Sequence, residues 1–336
     1  MELTATAPVR LPLVRTSLRI AGLATYVPEQ RITNDDFSAT IDTDDEWIRR
    51  RTGIRERRKT RDDEFTSDLC LSAVDALVRA GASLDEVDYV IAATISPDYQ
   101  FPTVSAIVQS RLELRNVGAM DISAACAGFV YALDLADALI TSGRARNVLV
   151  VAGETLTKIT DYTDRSMCIL FGDGAGAALV TADDGSGSAI LARRLNTDGA
   201  AGKHLFMTAL NKKIAGIVEP QHVMRQNGRA VYEWVVTHVS TGISELLASA
   251  KLRPSDIDWF IPHSANMRMI ESIVERCGIA PERTLTSIQW FGNTSSASIP
   301  LALAPAIDDG RVKRGDTLLL YGFGGGLVEA GLLLRF

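Results

Sequence analysis

Ala124-Ala125-Cys126-Ala127-Gly128-Phe129 follows the short apolar run from Val117 to Ile122 and opens a helical pattern that ends near Leu139. A buried strand, a tight turn of small residues and an apolar helix form the repeating unit of an α/β fold. The turn places the Cys126 thiol at a helix start, where unpaired backbone N–H groups and the positive end of the helix dipole favour a thiolate. Small neighbours let a carbonyl carbon approach the sulfur closely. An inert, buried cysteine fits the same local pattern, and the rest of the chain decides between the two readings.

Working outward, the same plan occurs twice. Residues 67–82 read as an amphipathic helix, and Leu84-Asp85-Glu86-Val87-Asp88-Tyr89 leads into the strand run Val90 to Ala93. Downstream, a helical stretch at 235–252 is followed by Pro254-Ser255-Asp256-Ile257-Asp258-Trp259 and the strand-like Phe260-Ile261-Pro262. A second echo joins Gly143 to Asn147, before Val148-Leu149-Val150-Val151, with Gly310 to Asp316, before Thr317-Leu318-Leu319-Leu320. Two echoes in the same order point to duplication, with halves 1–184 and 185–336 divided at the polar, glycine-rich Ala182 to Gly187. Chance recurrence in any α/β chain would instead leave two unrelated halves. Short, fully apolar strands alternating with helices predict largely parallel sheets covered on both faces.

With 336 residues, 46% of them hydrophobic and 23% charged, the chain can bury a large core, which excludes a disordered polypeptide. A formal charge of −6 gives no general grip on nucleic acid or anionic lipid. The N-terminal stretch MELTATAPVRLPLVRTSLRIAG interleaves arginines and has no apolar core of signal-peptide length, and nothing later has the length of a membrane span. A soluble, cytoplasmic protein is expected. Cys70, Cys126, Cys168 and Cys277 show neither paired nor metal-ligating spacing, so neither a disulfide framework nor a zinc site is expected.

Partners for the thiol stand in the second half. The strand 258–262 ends in Pro262-His263-Ser264-Ala265-Asn266, which gives His263 the strand-end position that lines sites in α/β folds; His204, His222 and His238 have no such address. Asn293 lies on the turn Phe291 to Ser298, where the second half repeats the position of the cysteine turn. Its amide donates without titrating, although a helix cap suits the same residues. Gly322-Phe323-Gly324-Gly325-Gly326 separates two apolar strand runs; the glycines admit close approach of backbone N–H groups to a developing oxyanion, or form a hairpin turn. Glu46 to Lys59 is a basic island in an acidic chain. With a helical start, Trp47 and Arg51 share a face able to hold a flat base, and nearby arginines would meet phosphates. An adenine-and-phosphate ligand such as coenzyme A fits this island better than a duplex does, and a solvated charge run is the bland alternative.

From about residue 17 to Phe336 the sequence resembles the β-ketoacyl-acyl-carrier-protein synthase III family of the thiolase superfamily. The motifs are Asp45-Glu46-Trp47-Ile48 with Arg51-Thr52-Gly53-Ile54, the Cys126 hexapeptide, Phe171 to Ala177, Pro262-His263 with Ala265-Asn266, Gly292-Asn293-Thr294-Ser295, and Phe323 to Gly326. The resemblance implies a five-layered αβαβα sandwich of two pseudo-repeated halves, normally a homodimer. It implies that Cys126 accepts the acyl group, that His263 and Asn293 complete a triad, and that the N–H groups of Cys126 and Gly325 form the oxyanion hole. Thr43, Trp47, Arg51, Arg165, Gly228, Tyr232, Asn266 and Arg268 match positions that hold coenzyme A or the phosphopantetheine arm. Phe101 and Phe323 match positions of the acyl pocket, Phe101 reaching that of the partner subunit, where bulk favours short primers.

The implied reaction is a decarboxylating condensation of an acyl-coenzyme A primer with malonyl-acyl carrier protein, which initiates fatty acid or related polyketide synthesis. No metal or redox cofactor is implied; coenzyme A and phosphopantetheine thioesters enter as substrates. Several residues depart from the familiar pattern: Leu327-Val328-Glu329-Ala330 after the glycines, Ser166 after Arg165, and Glu233 after Tyr232, where some relatives carry a lysine. Gln100 stands where olefin-pathway thiolases carry a glutamate, which points away from that branch. Two other functions fit the sequence less well. One is an acyltransferase of a specialised pathway that passes the acyl group to an alcohol, amine or other carbon nucleophile, and the other is a non-catalytic partner subunit.

Overall fold

The computed structural model describes residues 18–336. The N-terminal stretch read above for a leader lies, up to Ser17, outside the described residues.

Two sheets organise the chain. The first has five strands in the order Leu18–Tyr26, Asp173–Ala182, Asn147–Thr155, Tyr89–Ala93 and Gly118–Ile122. The second has four, in the order Ala189–Thr197, Val328–Arg335, Thr317–Gly324 and Trp259–Pro262. From the outer antiparallel strand inward, order and direction are the same in both. Each runs antiparallel, antiparallel, then parallel. A fifth position in the second sheet is reduced to one parallel bridge between Phe260 and Thr284. Both sequence echoes fall on equivalent strands of the two sheets.

The expected parallel character holds for only part of this arrangement, because each sheet is mixed. Asn147–Thr155 and Thr317–Gly324 each pair antiparallel with the next strand in sequence. Antiparallel strands covered on both faces carry the same unbroken apolar pattern as parallel ones, so periodicity alone does not separate them.

Helices complete five layers. Gly128–Thr141 and Ser298–Asp308 lie between the sheets within one continuous core that includes Phe129, Leu133, Ile299, Leu303, Val150 and Leu320. Their sequences are apolar around most of the circumference because they face a sheet on either side. Thr66–Arg79 and Val104–Arg111 cover the outer face of the first sheet, and Gly228–Ala250 with Met267–Cys277 cover that of the second. The amphipathic helices expected at 67–82 and 235–252 are thus the outer layers.

Candidate active site

The thiol turn forms as the sequence predicts. Gly118–Ile122 ends, Ala125–Ala127 makes one 3₁₀ turn, and the central helix begins at Gly128. Ala125 holds a left-handed φ of 45°, which folds the chain back sharply enough to present the next side chain. Cys126 is 9% exposed. Strand Thr317–Gly324 of the other half lies directly against it. A methyl group at Gly324 would stand 2.7 Å from Cys126 N and 3.1 Å from its Sγ, so only glycine fits there.

His263 continues the strand Trp259–Pro262, its N–H bonded to the Tyr321 carbonyl at 2.8 Å. The ring is buried, packed edge-on against Phe323 at 5.3 Å between centroids. Ser298 Oγ accepts from Ser264 N at 3.3 Å and lies 2.7 Å from His263 Nδ1. A serine hydroxyl that donates to Nδ1 leaves the neutral imidazole with its hydrogen on Nε2, free to donate from there.

Asn293 bridges to Phe171 of the first half, with its N–H on the Leu170 carbonyl at 2.8 Å. Its Oδ1 accepts from Ser295 N at 2.9 Å, which leaves the amide NH₂ to donate. The cap reading of Asn293 therefore has some truth, but the bond closes a turn ahead of the helix. His263 and Cys126 lie against the consecutive residues Phe323 and Gly324, and the Ser295 hydroxyl stands beside the thiol.

The electrostatics differ from the sequence expectation. Burial pushes the Cys126 thiol up to about 12, with the Ser295 hydroxyl opposing the rise. Burial likewise lowers His263 to about 3, opposed by the Ser295 backbone. Desolvation outweighs the hydrogen bonds that favour the thiolate, and the resting pair is a neutral thiol and a neutral imidazole.

The basic island divides. Trp47, on the helix Asp45–Thr52, has the Arg51 guanidinium 5.7 Å from its ring centre and that of Arg165 at 4.6 Å, so Arg165 supplies the nearer plane. Thr43 precedes this helix, whose N-cap Asp44 accepts from Trp47 N at 2.6 Å. Arg57 takes no part in anion binding. It is fully buried, donates to Asn34 Oδ1 at 2.8 Å and to the Ile169 carbonyl, and is lowered by burial to about 10. Arg58 donates to the Pro28 carbonyl at 3.1 Å, and Arg49 pairs with Asp45.

Met267 packs in the same apolar cluster as Trp47, which brings Asn266 and Arg268 beside the island. Asn266 caps its helix, its side chain accepting from Arg268 N at 2.9 Å. Gly228 begins the helix Gly228–Ala250, and Tyr232 on its exposed side meets Ser272 Oγ at 2.8 Å, joining the two outer helices. Glu233 pairs with Arg229 on the surface. Leu205, which sequence reading missed, packs with the Trp47 cluster and would contact a methyl group on Gly325 at 3.2 Å, so it links the island to the glycine loop. Phe101 is 82% exposed, whereas Phe323 is buried on His263. Ser295 and Ser298 stood in quoted motifs without a role of their own, and only their place in the folded turns reveals one. Among the described residues no cluster of His, Cys, Asp or Glu has the makings of a metal site, and no helix is long and apolar enough to cross a membrane.

A duplicated five-layer sandwich with a cysteine turn from one half and an imidazole and amide from the other defines the thiolase-fold enzymes that form acyl-cysteines. Within that class the chain belongs to the β-ketoacyl-[acyl-carrier-protein] synthase III family, and is an acyltransferase of fatty acid biosynthesis. The family model for 3-oxoacyl-[acyl-carrier-protein] synthase III matches residues 120–199, and that for its C-terminal part matches residues 247–336. The chain is 49% identical to "Beta-ketoacyl-[acyl-carrier-protein] synthase III 2" of Halalkalibacterium halodurans over 95% of this chain and 96% of that one. The crystal structure of the synthase III from Thermus thermophilus matches with a TM-score of 0.91 at 43% identity, covering 94% of this chain and 98% of that one. The priming β-ketosynthase of the R1128 polyketide pathway matches at 0.87 and 36% identity, covering 97% and 98%.

Proposed function

We propose that Cys126 takes an acyl group from acyl-coenzyme A and that His263 and Asn293 then promote decarboxylation of malonyl-acyl carrier protein. The observation that carries this reading is the arrangement of one thiol and two neutral donors on turns of opposite halves, around Ser295 and Gly324. In the first step the thiol attacks the thioester carbon, the C–S bond to coenzyme A breaks, and the thiol proton leaves on coenzyme A. The N–H groups of Cys126 and Gly325 receive the oxyanion of the tetrahedral intermediate.

In the second step the malonyl thioester loses carbon dioxide, and its carbonyl oxygen becomes an enolate. His263 Nε2–H and the Asn293 NH₂ donate to that oxygen; a fixed carboxylate in either place would repel it. The carbanion attacks the acyl-cysteine carbon, the C–S bond to Cys126 breaks, and the sulfur takes up a proton. The product is a β-ketoacyl carrier protein.

Trp47, Arg51 and Arg165 hold the adenine end of coenzyme A, with Thr43, Gly228, Tyr232, Asn266 and Arg268 along the arm. The exposed Phe101 and the sheet-edge strand Gly118–Ile122, where Met120 is 38% exposed, support a homodimer in which Phe101 enters the partner's acyl pocket and favours a short primer. Intact-mass measurement after incubation with a panel of acyl-coenzyme A esters tests the first step. One acyl mass is gained by the native chain and none by Cys126→Ser. An adduct that persists in the serine variant removes Cys126 from the role.

A further inference from the structure

The equivalence of the halves extends to single residues. Asp88 and Asp258 donate backbone N–H groups to the carbonyls of Asn147 and Thr317 at 2.9 and 3.0 Å, and their carboxylates accept the N–H groups of those same residues at 3.1 and 2.8 Å. Counting along the strands from these anchors pairs Ala93 with His263 and Glu154 with Gly324. The turns match in the same way. Ala124 and Thr294 have φ,ψ of −123°,33° and −102°,26°, Ala125 and Ser295 have φ of 45° and 47°, and Gly128 and Ser298 have −53°,−43° and −65°,−36°. Ser296 is therefore the counterpart of Cys126.

The second turn thus carries serine for cysteine, faces alanine for histidine, and meets glutamate where the first meets glycine. Gly324 leaves the face of the cysteine turn free. At the equivalent place Glu154, fully buried, fastens the serine turn. Its Oε1 lies 3.0 Å from Ser296 Oγ, and its Oε2 accepts from Ser96 Oγ at 2.7 Å, from Thr94 Oγ1 at 3.1 Å and from Ile95 N at 3.1 Å. Ser296 Oγ also lies 3.0 Å from the Ala93 carbonyl. This same turn is the platform of the proposed donors, for Ser295 N holds Asn293 Oδ1 and Ser298 Oγ holds His263 Nδ1.

We propose that Glu154 is a positioning residue, which fixes the Ser296 turn to the first sheet and thereby aims His263 and Asn293 at the malonyl thioester. The proposal rests on the roles given above to those two donors. It predicts a loss confined to one half-reaction, because acylation depends on the cysteine turn and decarboxylation on the other. A misplacement of the donors of about 1 Å is enough for a loss of about 10- to 100-fold.

The test compares the native chain with Glu154→Gln, Ser296→Ala and the double variant. Acylation of Cys126 by acyl-coenzyme A is followed by intact mass, decarboxylation of malonyl-acyl carrier protein by carbon dioxide release, and folding by thermal unfolding. In either single variant kcat for decarboxylation falls about 10- to 100-fold at unchanged KM, while acylation stays within about 3-fold. The double variant loses no more than the worse single one, since both act through one contact. Ser296→Ala removes only a hydroxyl and keeps the test open should the glutamine variant not fold. The proposal is overturned by equal losses in the two half-reactions, by unimpaired decarboxylation in a folded variant, or by losses that multiply. Failure of the native chain to acylate or decarboxylate would instead overturn the roles of Cys126, His263 and Asn293 themselves.

Discussion

Burial holds both Cys126 and His263 in their neutral forms, and each leaves a signature in the dependence of stability on pH. An unfolded histidine takes up a proton near 6.5, whereas His263 resists protonation down to about 3. Between those values the unfolded chain binds more protons, so stability falls as pH drops through that window. The thiol acts at the other end: an unfolded cysteine ionises near 9.0 and Cys126 near about 12, so stability falls as pH rises between them. Chemical denaturation across pH should therefore show an acid limb that flattens in His263→Ala and an alkaline limb that flattens in Cys126→Ala. Limbs of unchanged slope would show that these groups titrate normally in the folded chain. The address of each residue was legible in the sequence, since a strand end and a strand-to-helix turn are local features. Their protonation was not, because the groups packed on them, Gly324 on Cys126 and Phe323 on His263, come from a strand remote in sequence.

Elements place the departures from the family pattern. Glu329, notable in the sequence only as an unusual residue after the glycines, is fully buried on strand Val328–Arg335 beneath the helix Gly228–Ala250. It accepts from Tyr321 Oη at 3.0 Å and Asn196 Nδ2 at 3.1 Å, and pairs with Arg194 Nε at 3.3 Å. Arg194 also pairs with Glu245 of the covering helix, so one network ties three neighbouring strands to the outer layer. Removing one partner strands the others, and Glu329→Ala should lower stability by about 3 kcal/mol in urea unfolding, with Glu329→Gln losing less. A loss under about 0.5 kcal/mol would mean that the network contributes little. None of these partners was legible, because they lie on two neighbouring strands and a covering helix, which only the folded sheet brings together. The glycine run was legible as both of its alternatives, for Gly325 to Leu327 form the hairpin and Gly324 abuts the thiol.

At the scale of the molecule, the central helices belong to both halves at once. Gly128–Thr141 and Ser298–Asp308 share one core between the sheets, so the inner face of each sheet is buried by helices of both halves. The echoes made this duplication legible, while the equivalence of Ser296 with Cys126 stayed hidden because the two turns share backbone geometry and little sequence. We place the boundary of the halves at the exposed loop Asp184–Gly187, where Gly185 and Gly187 hold positive φ of 94° and 83°. A short Gly/Ser insertion there should leave activity and the unfolding midpoint close to native, while residues 1–184 and 185–336 expressed apart should not fold cooperatively. Independent cooperative unfolding of either half would contradict a shared core. The most direct measurement is a single turnover: isolated acyl-Cys126 enzyme is mixed with malonyl-acyl carrier protein, and acyl-enzyme, carbon dioxide and product are followed together. One carbon dioxide and one β-ketoacyl carrier protein should appear for each acyl group lost, at one common rate. Loss of the acyl group to water or to another acceptor, without carbon dioxide, would contradict a decarboxylating condensation at this cysteine.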